Sequence, residues 1–253
     1  MISNKVWRSA LAICALGLVP YATACGSDDS EGGMAGASGM SGDPDGGSGS
    51  GGSGDPDGGA GSGGSGGGGS NVGDGEPLEA PAMQWTWIDF PDSFCRDGSN
   101  AGLGVSLNPA SDKVMIFMQG GGACFDFLTC GTNPASAAMQ KGEQTTGLFN
   151  RAEPTNPVAD WNHIFIPYCT GDVHLGTKED GTVEGVNGTQ MFVGRNNVLA
   201  YLKRIVPTFP DATQVLLTGI SAGGFGAAAN MEVVQEAFGD IPVTAIDDSG
   251  PPM

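Results

Sequence analysis

The chain has 253 residues, of which 45 are glycine, and 28 acidic side chains stand against 10 lysines and arginines, a formal net charge of −18. So little positive charge excludes a nucleic-acid-binding surface, which needs clustered lysine and arginine to neutralise phosphates. Glycines without a three-residue period exclude a collagen helix. The glycine is not spread evenly: 23 of the 45 lie between Gly26 and Gly75, and residues 85–253 keep 18 acidic and 8 basic side chains. That remainder is long enough for one domain-sized core.

At the N-terminus, Lys5 and Arg8 precede an apolar run from Ala10 to Val19, and Ala22-Thr23-Ala24 lead into Cys25. This is the order of a secretory signal, expected over residues 1–24, and the run is too short to span a bilayer comfortably. Cys25 directly after the small residues resembles a bacterial lipobox. The resemblance implies a lipid on Cys25, attachment to a membrane through it, and an outer-membrane or cell-surface location; without the lipid, the chain is secreted. Residues 25–84 are expected to be a disordered tether, because glycine, serine and aspartate dominate and no apolar residue recurs with a strand or helix period. The motif Asp43-Pro44-Asp45-Gly46-Gly47 recurs twelve residues on, at Asp55. Two copies with few carboxylates do not make a calcium-binding repeat, and the stretch reads as a spacer of about 40 to 45 Å r.m.s. span.

From Trp85 onward, elements emerge in order. Residues 113–118 (KVMIFM) form an apolar run that stops at Gly120-Gly121-Gly122 and reads as a buried strand. Residues 163–167 form a second strand, ending in the loop from Tyr168 to Asp172. Between Arg195 and Phe209, the residues Val198, Leu199, Leu202, Ile205, Val206 and Phe209 fall on one helical face, and Pro207 favours an end there. Residues 214–218 give a third strand, 223–238 an alanine-rich helix and 243–246 a fourth strand. Strands alternating with helices, each strand apolar throughout, predict an α/β fold with a mostly parallel sheet and helices on both faces. Its chemistry is expected at the carboxyl edge of the strands, where the triple glycine, the Cys169 loop and Ser221 all fall.

Gly219-Ile220-Ser221-Ala222-Gly223 follows a strand and opens a helix, the context of a G-x-S-x-G nucleophile elbow. The turn is too tight for large flanking side chains, and it lifts the serine hydroxyl above the sheet. The helix behind it offers free N–H groups and a positive dipole end to a developing oxyanion. A second donor is expected from the glycine-rich loop after an earlier strand. Gly121 and Gly122 fit, together with the N–H of Ala222. No Gly-Lys-Ser/Thr follows the glycines, so a phosphate loop is disfavoured, and nothing in the sequence calls for a cofactor or a metal. Gln119 and His174, at the same edge, are candidates for a substrate pocket, and Arg96 and Arg195 for basic residues lining it. Cys95, Cys124, Cys130 and Cys169 are even in number in a chain read as exported, so disulfides are favoured over metal ligation. Of the three pairings that four cysteines allow, a short Cys124–Cys130 clasp leaves Cys95 with Cys169.

With these residues assembled, the sequence resembles the pectin acetylesterase and Notum family of serine carboxylesterases. The resemblance rests on Phe94 through Ser99, Gln119 through Cys124, Cys130, Pro167 through His174, Gly219 through Gly224 and Asp247 through Gly250, and it covers residues 85–253. It implies an α/β-hydrolase-like fold and hydrolysis of carboxylic esters, with an acetylated extracellular polysaccharide such as pectin as the expected substrate. It gives Ser221 as nucleophile, and Gly121, Gly122 and Ala222 as oxyanion hole, and it supports both cysteine pairings. In the family, the acid and base of the triad come well after the serine. Here 32 residues follow Ser221, none of them histidine. His163 is expected to pack or face solvent, and Asp172 and Asp248 to brace loops. The hydrolase domain is therefore expected to be incomplete at its C-terminus, with acid and base beyond Met253 and the 253-residue chain by itself nearly inactive. Two other readings stand beside it: a lipase-like esterase for longer acyl chains, and a non-catalytic glycan-binding lipoprotein on a decayed hydrolase fold.

Overall fold

A computed structural model describes residues 73–250. The expected signal peptide, Cys25 and most of the expected tether lie outside the described residues. In chain order the strands and helices are β1 (Thr86–Phe94), β2 (Asn100–Ser106), β3 (Lys113–Met118), α1 (Phe127–Thr132), β4 (Asn162–Ile166), β5 (Lys178–Gly181), β6 (Gln190–Phe192), α2 (Gly194–Thr208), β7 (Gln214–Ile220), α3 (Ala222–Phe238) and β8 (Val243–Asp248). Six strands form one sheet in the order β1-β2-β4-β3-β7-β8, and β5 and β6 form a separate hairpin-like pair. The four strands read from the sequence, β4, β3, β7 and β8, run parallel. Of the four strands that the sequence reading passed over, β1 and β2 add an antiparallel flank to this sheet.

Alternation along the parallel strands divides the core. Val114, Ile116 and Met118 of β3, Ile164 and Ile166 of β4, and Val215 and Leu217 of β7 face one side. There they meet Val198, Leu202 and Ile205 of α2 and Ala227, Val234 and Phe238 of α3. Met115, Phe165 and Leu216 face the other side and meet Phe149 and Val158. The expectation of helices on both faces is thus met on one face only among the described residues. The opposite face is covered by an irregular segment with a single 3-10 turn at Gly147–Phe149, whose aromatic ring stands edge-on to Phe117.

The folded domain begins before residue 85. Pro207 lies inside α2 and has no N–H to donate one turn back to the carbonyl of Lys203. That carbonyl instead accepts the N–H of Gly75 at 3.1 Å. Next to it, Arg204 Nε donates to the carbonyl of Glu76 at 2.9 Å, the N–H of Leu78 donates to Thr208 Oγ1 at 2.7 Å, and Leu78 is 4% exposed. The chain therefore joins the domain at the C-terminal turn of α2, beside the edge where β7 starts. Composition could not mark this boundary, since one leucine carries it.

Candidate active site

Ser221 sits between β7 and α3 with φ 57° and ψ −120°, a backbone conformation that costs a residue with a side chain roughly 1–3 kcal/mol. The surroundings impose it. The N–H of Ser221 donates to the carbonyl of Asp248 at 2.8 Å, and its own carbonyl accepts the N–H of Phe225 at 3.1 Å. A Cβ on Gly219 or Gly223 would collide with the Met118 carbonyl of the neighbouring strand, so the turn closes only with glycine there. The serine itself is exposed.

The loop from Gln119 to Cys124 is pinned at several points. Gln119 donates its N–H to the carbonyl of Ile166 at 3.0 Å, and Cys124 donates its N–H to the carbonyl of Gly171 at 2.8 Å. Between them, the hydroxyl of Tyr168 donates to the carbonyl of Gly122 at 2.6 Å and accepts the N–H of Val173 at 2.9 Å. A Cβ on Gly120 would lie 3.2 Å from Cβ of Ser221, so loop and elbow touch. The N–H groups of Gly121, Gly122 and Ala222 find no backbone acceptor among the described residues. An exposed hydroxyl, unsatisfied amides and the N-terminus of a 17-residue helix thus share one edge of the sheet. Such donors, fixed in place before charge develops, are what a tetrahedral oxyanion needs.

A second layer holds this edge. Asp172 accepts the hydroxyl of Thr170 at 2.6 Å and the N–H of His174 at 3.1 Å through Oδ1, and the N–H of Gly194, the first residue of α2, at 2.7 Å through Oδ2. It braces its loop as expected and places its charge at the positive end of a helix. Burial raises the Tyr168 phenol well above its ordinary pKa, so it stays protonated and able to donate. Both expected disulfides are formed, Cys124–Cys130 and Cys95–Cys169. Asp248 contributes its carbonyl to Ser221, while its side chain accepts the hydroxyl of Ser249 at 2.9 Å. Asp247 Oδ1 accepts the N–H of Gly250 at 2.8 Å.

The family model for pectinacetylesterase matches residues 80–251. The chain belongs to that family. It is similar to the palmitoleoyl-protein carboxylesterase NOTUM of Drosophila melanogaster, 27% identical over 175 residues that cover 62% of this chain and 26% of the relative. The human protein of the same name is 27% identical over 172 residues, covering 62% of this chain and 34% of the relative. A crystal structure of the Drosophila Wnt deacylase Notum superposes with a TM-score of 0.51 at 21% identity, over 67% of this chain and 52% of that one. The fold is α/β-hydrolase-like. The chain spans about a quarter to a third of the length of the curated relatives, and about half of the crystallised one.

The family fold gives Ser221 no histidine from this sequence, which has two. His163 is 1% exposed near the start of β4, at the far edge of the sheet, and its Nε2 lies 2.8 Å from the carbonyl of Val158. Burial lowers its pKa to about 4, so the ring is neutral at pH 7. His174, expected in a substrate pocket, is 2% exposed. Its ring lies 4.9 Å from that of Tyr168, and Nε2 donates to the carbonyl of Gln119 at 2.9 Å. Gln119 in turn uses its side-chain oxygen to accept the N–H of Tyr168 at 2.9 Å. Both brace the glycine loop, His174 through Nε2 and Gln119 through Oε1. Arg96 and Arg195 do not line a cleft either. Arg96 is 4% exposed, and Arg195 reaches across to Asn230 and to the carbonyl of Ala229. The residue that sequence reasoning missed is Tyr168. Its signal was a tyrosine between a strand end and a cysteine, with glycine, aspartate and histidine close behind.

Proposed function

We propose that this domain is the nucleophile-bearing part of an exported carboxylic ester hydrolase that removes acetyl groups from an extracellular polysaccharide. The observation that carries the reading is Ser221, held at φ 57° and exposed at the N-terminus of α3 beside a pinned glycine loop with unsatisfied amides. Ser221 Oγ attacks the ester carbonyl and its proton leaves to a base. The carbonyl oxygen, now an oxyanion, is received by the N–H groups of Gly121, Gly122 and Ala222. Collapse of the tetrahedral species expels the alcohol and leaves an acyl-serine for water to hydrolyse. Both histidines of this sequence are buried and bonded to backbone carbonyls, so neither is placed to serve as that base.

Residues 85–253 carry a net charge of −10, and neither Arg96 nor Arg195 is free to offset it. A neutral or weakly anionic acetylated glycan is therefore favoured over fully charged pectin. Phe125, Phe127 and Leu128 are 71%, 62% and 74% exposed just after the glycine loop, which favours longer acyl esters as the alternative within the class. A lipid on Cys25 would hold the domain at the cell surface. The deciding experiment is labelling of the complete gene product with a fluorophosphonate. Mass addition on Ser221, lost in Ser221→Ala, supports the esterase. An unlabelled protein that still binds acetylated glycan supports a non-catalytic binding role, which the placement of the two histidines favours for this chain taken alone.

A further inference from the structure

Arg96 is buried, and its guanidinium has no carboxylate partner. The ion pairs among the described residues are Lys141–Asp89 and Lys178–Asp180, both on the surface. Its acceptors are three neutral oxygens: Gln190 Oε1 at 2.8 Å, the carbonyl of Cys130 at 2.8 Å and the carbonyl of Asn133 at 2.9 Å. Asp97 is the nearby carboxylate that acts on it, but burying a cation with no ion pair of its own is unfavourable, so its presence calls for a return elsewhere. The contacts show where that return lies. Arg96 follows Cys95, which is bonded to Cys169, and it grips Cys130, which is bonded to Cys124. Its Nε lies 3.5 Å from the Cβ position of Gly171, whose carbonyl receives the Cys124 N–H. The Asn133 whose carbonyl it holds donates its amide Nδ2 to the carbonyl of Thr129 at 2.9 Å and lies beside the oxyanion loop, where a Cβ added to Gly121 would be 4.0 Å from Oδ1 and one added to Gly122 3.6 Å from Nδ2.

We propose that Arg96 is a positioning residue of the ester-hydrolysing site. Its planar fork fixes Cys130 and Asn133, and through the Cys124–Cys130 bridge and the Asn133 amide it sets the segment that carries the N–H groups of Gly121 and Gly122. The inference rests on the esterase reading for its catalytic meaning, but the mechanical linkage stands on these contacts alone. A lysine offers a point charge in place of the fork and cannot span the three acceptors.

Two readouts test it. In the 253-residue chain, amide NMR signals of Gly121 and Gly122 shift or broaden in both Arg96→Met and Arg96→Lys, while those of α2 stay in place and both disulfides remain intact by mass. In the complete gene product, the saturating rate of Ser221 phosphonylation falls by about tenfold or more in both variants at temperatures far below their melting points. The reagent concentration giving half that rate is unchanged. Millimolar guanidinium restores part of the rate in Arg96→Ala. If both variants melt lower but the two glycine signals and the rate match the parent, Arg96 is structural only and the proposal is overturned. Should Arg96→Met fail to fold, Arg96→Lys decides alone. If the unaltered protein is not labelled at all, the esterase reading fails, while the glycine signals still decide the linkage.

Discussion

Removal of one oxygen atom tests the layer beneath the glycine loop. In Tyr168→Phe, the ring that packs at 4.9 Å from His174 is retained, so no large cavity opens and the loss is confined to the hydroxyl. That hydroxyl donates to the carbonyl of Gly122 and accepts the N–H of Val173. Gly122 is exposed, and water can take over its carbonyl. Val173 is half-buried, and its N–H is left without a partner, in a residue that holds φ 52° despite its branched side chain. The orphaned donor costs about 1–3 kcal/mol and the lost bond to Gly122 about 0.5–1.5 kcal/mol, a total of roughly 2 to 4 kcal/mol. For a domain of this size, that corresponds to a melting point lower by about 5 to 12 °C. Calorimetry at pH 7 with both disulfides intact gives the number. A melting point within about 2 °C of the parent would show that Tyr168 does not hold the loop, and the account of a pinned oxyanion segment would fall with it.

Other expectations follow from the same geometry. Ser221→Gly removes the backbone penalty at φ 57° and raises stability by about 1 kcal/mol in urea melts while abolishing esterase activity of the complete gene product; a variant less stable than the parent contradicts the strain. The two disulfides close stretches of 74 and 6 residues. Chain entropy makes loss of Cys95–Cys169 cost about 4 kcal/mol and loss of Cys124–Cys130 about 2 kcal/mol, an order that paired Cys→Ser variants check by denaturant melts. His163 has a folded pKa of about 4 against 6.5 unfolded, so the unfolded chain takes up its proton first as pH falls. Its contribution is complete above pH 6.5 and is lost between 6.5 and 4, to a total of about 3 kcal/mol. His163→Phe should flatten that part of the pH–stability curve, and an unchanged slope argues against a buried neutral ring.

The parallel strands were legible because each is a continuous apolar run, and the elbow because a serine with glycine two positions to either side, directly after such a run, has few other uses. β1 and β2 were hidden for a physical reason. Trp85 lies over Gly104 and Trp87 over Gly102, where any Cβ would meet the indole rings, so glycine in β2 signals an aromatic neighbour while reading locally as a turn. The supports of the site were hidden differently. Gln119 and His174 are polar residues at a glycine loop, and a sequence cannot tell a side chain that faces substrate from one that bonds neighbouring backbone. Arg96 shows the same ambiguity, since only burial reveals that its partners are internal.

Gly75 and Leu78, docked on the last turn of α2, give the domain a direction. The chain enters where β7 begins, and Ser221 stands where β7 ends, a strand of 7 residues or about 20 Å away. Attachment of the chain and the candidate nucleophile thus lie at opposite ends of the sheet, so whatever precedes residue 73 joins the domain away from the edge that carries Ser221.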